Sequence, residues 1–97
     1  MFAVHLFFIN IKMIILDVLI DGEKIRLPNA AYDKQRPILR LIQKGISHIF
    51  KPVALAFPEH EISVTWDEDQ NQLSYSCKTL EKSQITEVLK RIHGIDL

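Results

Sequence analysis

Residues 33–51 read DKQRPILRLIQKGISHIFK, and the fold follows from how that stretch divides. Ile38, Leu39, Leu41, Ile42, Ile46, Ile49 and Phe50 recur at three- and four-residue steps, the spacing that lays side chains along one side of an α-helix. Arg36, Arg40, Lys44 and His48 fall at successive four-residue steps on a different side, with Lys51 just past them. Asp33 is placed to cap the start. Pro37 is tolerable in or near the first turn, where a backbone N–H has no helical partner anyway. A helix divided in this way must bury its apolar side, and strand-like segments before and after it supply the surface.

Upstream, Ile14, Leu16, Val18 and Ile20 alternate, with Asp17 on the opposite parity. Asp21-Gly22 then predicts a two-residue type I′ hairpin, whose central residues both need positive φ. The register follows: Ile20 faces Glu23, Val18 faces Ile25 and Leu16 faces Leu27, while Asp17 meets Arg26 as an opposite-charge pair on the other side. Pro28 and Asn29 close the strand.

Downstream, Lys51-Pro52 is expected to turn the chain out of helical geometry. Val53, Leu55 and Phe57 alternate with Ala54 and Ala56, which reads as a short strand ended by Pro58. Ile62, Val64 and Trp66, then Leu73, Tyr75 and Cys77, form a second hairpin around the polar turn Asp67 to Gln72. Ile85, Val88, Leu89 and Ile92 make one stripe of a final helix, which Gly94 ends as a left-handed cap. The expected fold is a single α+β domain over residues 1–97. It is a two-layer sandwich, an antiparallel sheet of four to five strands with both helices on one face. The other face would carry Asp17, Lys24, Arg26, Glu61, Ser63, Thr65, Ser74, Ser76 and Lys78, and be solvated.

The N-terminal run MFAVHLFFINIKMIIL is apolar at both parities over Phe2 to Ile9, as in a strand covered on both faces. A bulge or turn near Asn10–Lys12 should separate it from the next strand, and Met13 offers a second start point, making residues 1–12 an extension or a pairing strand. The run lacks a basic leading region and a small-residue cleavage site, and it is too short and too interrupted to span a bilayer. No membrane partner is expected. Phe2, Val4, Leu6 and Phe8 are the candidates for self-association through an added strand.

A composition of 47% hydrophobic and 25% charged residues places the chain among ordinary globular domains and outside the disordered class. Twelve basic and twelve acidic residues cancel, so the molecule as a whole prefers neither nucleic acid nor acidic partners. Their placement is uneven: basic residues dominate from Glu23 to Lys51 and acidic ones from Glu59 to Glu81. The lone Cys77 excludes an internal disulfide and points to a reducing, cytoplasmic setting.

The motifs carry little chemistry. Asp67, Asp69 and Asn71 imitate the first ligands of a calcium loop, but Gln72 stands where the turn glycine belongs and Lys78 where the bidentate glutamate belongs. In extended Glu59-His60-Glu61, neighbouring side chains point to opposite faces. His5, His48, His60 and His93 are scattered one per element, and Cys77 reads as a small core residue. Trp66 and Tyr75 share parity with the buried aliphatics, against base stacking on an open sheet. No cofactor or metal is expected.

The function read from these residues is a small non-enzymatic interaction or regulatory protein, acting through protein–protein contact and self-associating, with Arg36, Arg40, Lys44 and His48 as partner-binding residues. The alternative is a nucleic-acid-binding module that grips phosphates with the same basic side. A hydrolase or nuclease pairing a histidine with a carboxylate is the third reading.

Overall fold

The computed structural model describes residues 14–29 and 36–94. Its elements are β1 (Ile14–Ile20), β2 (Glu23–Leu27), α1 (Ile38–Ala56), β3 (Ile62–Asp67), β4 (Gln72–Cys77) and α2 (Lys82–His93). The four strands lie in the order β2-β1-β3-β4.

The first hairpin has the register its sequence demands. Asp21 (φ 51°) and Gly22 (φ 76°) both take left-handed conformations, and Val18 pairs with Ile25 and Asp17 with Arg26. The second hairpin pairs β3 and β4 antiparallel, Val64 opposite Tyr75. Between the hairpins the sheet departs from expectation. β1 and β3 run parallel, Leu16 beside Val64, so the sheet is mixed and not antiparallel throughout. The cause is the crossover through α1. It allows β3 to enter beside β1, the strand with the longest run of buried residues, whose other edge is paired with β2.

Alternation puts Leu16, Val18, Ile20, Ile25, Leu27, Ile62, Val64 and Tyr75 on one face, and both helices pack there. Phe50, Leu39, Val53, Ile85 and Leu89 are the helices' fully buried contributions. The Phe50 ring meets Tyr75 edge-on at 5.6 Å between centroids, the geometry that ring quadrupoles favour. Thr86 donates its one hydroxyl proton to the Lys82 carbonyl, so Tyr75 donates to Thr86 Oγ1 at 2.5 Å. That bond ties β4 to α2. Trp66, expected inside, is only half buried, because at the end of β3 its Nε1 donates to Glu68 Oε1 at 2.9 Å.

The largest correction concerns α1. It continues through Pro52 to Ala56, so the expected strand at Val53–Phe57 does not form. Ile46, Phe50 and Val53 are buried at steps of four and three, Ala54 beside them, while Leu55 is 55% exposed. That is a helical burial pattern and excludes strand alternation. Pro52 cannot donate to the carbonyl of His48 four residues back, a loss usually of about 3 kcal/mol. Burying Phe50, Val53 and Ala54 against the sheet outweighs it. At the other end, Pro37 holds the cap position and bonds from Leu39 to Arg36 and Arg40 to Pro37 tighten the first turn. Asp33, the expected cap, lies outside the described residues. In α2, Gln84 Oε1 accepts from the Glu81 N–H at 3.0 Å, and Gly94 (φ 68°) closes the helix with its N–H on the Lys90 carbonyl. Ile92, assigned to the buried stripe, is 54% exposed.

The outer sheet face is not uniformly solvated. Asp17, expected in water, is 8% exposed and accepts from Arg26 Nε and Nη2 at 3.0 and 3.1 Å, with Lys24 at 3.9 Å. The Arg26 hydrogen bonds hold its carboxyl below the ordinary range against the opposing effect of burial.

Candidate partner-docking face

A groove of about 1020 Å³ runs along the outer side of α1. Among the described residues, Arg40, Lys44, His48 and Lys51 give it its charge, Gln43 and Ser47 its neutral polar groups, and Leu41, Leu55, Ala54, Pro37 and Ile14 its apolar walls. No acidic residue lies between Ile38 and Ala56, so no carboxylate of the helix itself offsets the cations. Leu41 is 69% exposed and Leu55 55%, near opposite ends of the same helix face.

Of the four partner-binding residues read from the sequence, Arg40, Lys44 and His48 share this groove. Arg36 does not. Its Nη1 is shielded from solvent 3.2 Å from Asp21 Oδ2, an ion pair without hydrogen-bond alignment. It belongs to a corner where the two hairpin turns meet the start of α1. There Asp69 accepts the amides of Asp21 and Gly22 at 2.9 and 3.1 Å. Those amides, Asp21 first, hold the Asp69 carboxyl below the usual range, and Arg36 adds to the effect. The turn that imitates a calcium loop thus spends Asp69 on clamping the first hairpin, while Asp67 accepts the Gln70 amide. The self-association residues Phe2, Val4, Leu6 and Phe8 lie outside the described residues.

Two of the histidines converge. The rings of His48 and His93 stand 6.0 Å apart, and His93 Nε2, 2.9 Å from the Ile49 carbonyl, must carry a proton to donate there. His93 thereby pins the end of α2 to α1, at the border of the groove. His60 is remote from both and lies 2.6 Å by Nδ1 from Thr79 Oγ1, which is 3.4 Å from Cys77 Sγ. Burial pushes the Cys77 thiol up, but the Thr79 hydroxyl and the amides of Thr79 and Leu80 outweigh it and leave the thiol below its ordinary value. Cys77 nonetheless packs, partly buried, against the core as its parity predicts. Among the described residues no group of three His, Cys, Asp or Glu side chains could hold a metal ion, and no helix is long and apolar enough to cross a membrane.

The sequence reading missed Leu41 and Leu55 as surface residues. Ile38-Leu39 and Leu41-Ile42 are adjacent apolar pairs, and a helix cannot turn both members of a pair inward. The signal was present: Leu41, Lys44, His48, Lys51 and Leu55 follow one another at steps of three and four, forming a single stripe. No family model, curated protein or solved structure matches the chain.

Proposed function

We propose that the protein is a small non-enzymatic interaction module that binds a protein partner along the outer face of α1. The observation that supports this most strongly is the joint exposure of Leu41 and Leu55 with Arg40 and Lys44 in one groove. Exposed leucines favour a partner that can cover apolar surface, and the cations select which partner arrives. A grip on phosphates needs only the cations, so the leucines weigh toward protein over nucleic acid. The unpaired Cys77 is in keeping with a reducing, cytoplasmic setting. Self-association belongs to the same proposal on the sequence pattern of Phe2, Val4, Leu6 and Phe8 alone.

The test is a photo-crosslinking amino acid placed at Leu41 in cells, with Lys78, outside the groove, as the control position. Protein adducts at position 41 that vanish with Arg40→Glu and Lys44→Glu support the reading. Nuclease-sensitive adducts would replace it with nucleic-acid binding, and labelling no stronger than at position 78 would overturn both.

A further inference from the structure

We draw no further inference here: the strongest candidate, the uncharged sheet edge at β4 (Gln72–Cys77), carries nothing, because nothing among the described residues shows which strand would cover it.

Discussion

Single residues on the two outer surfaces have opposite relations to charge. Asp17 is buried on a nominally solvated sheet face and made viable by Arg26. Its carboxyl is held below the ordinary 3.8, so the folded state binds its proton less readily than the unfolded chain does. The stabilisation is complete above the unfolded value and is lost as pH falls through the lower folded value. Asp17→Asn should therefore lower stability at neutral pH and reduce the loss of stability below about pH 4 in urea titrations. An unchanged acid limb would remove Asp17 from the acid sensitivity of this fold. Cys77 offers the second test at this scale. With its thiol below the ordinary value, iodoacetamide should alkylate it at a lower pH midpoint than a free cysteine, and Thr79→Val should move that midpoint upward. A midpoint unmoved by Thr79→Val would mean the hydroxyl does not stabilise the thiolate.

Elements were legible to different degrees, and the reason is the number of constraints acting on each. Asp21-Gly22 leaves one turn type and one register, and both are realised. Gly22→Val should cost about 1 kcal/mol or more, since a β-branched residue resists positive φ; a neutral result would deny the type I′ turn. The end of α1 was misread because Val53, Leu55 and Phe57 fit alternation as well as Ile46, Phe50 and Val53 fit a helix, and Pro52 tipped the reading. Only the sheet beneath decides it, and that is a tertiary fact. If burial sustains the helix in spite of its proline, Pro52→Ala should stabilise the protein by restoring the bond to His48, by up to about 3 kcal/mol. Destabilisation would mean that the half-buried ring contributes more by packing than it costs. The two faces of α1 should also separate cleanly: Leu39→Ala at full burial should cost about 2–5 kcal/mol, and Leu41→Ala about 0.5 kcal/mol or less. Similar losses at the two positions would contradict the orientation of the helix.

At the scale of the molecule, the described residues form two hairpins joined in parallel at β1 and β3 and roofed on one side by two helices. The class was readable from parity, because the inward residues of β2, β3 and β4 recur at every second position. The parallel joint was not, because nothing in a strand's own residues names its neighbour across a crossover of more than thirty residues. The basic side of α1 was readable from spacing, but its division was not. Arg36 turned inward to the hairpin corner while Arg40, Lys44 and His48 stayed on the groove, a separation that depends on where Asp21 and Asp69 come to lie.

Docking of a protein partner on the outward face of α1 is tested most directly by photo-crosslinking from position 41 in cells. Protein adducts there, stronger than at position 78 and lost with Arg40→Glu and Lys44→Glu, are the expected result. Labelling at position 41 no stronger than at position 78 would contradict it.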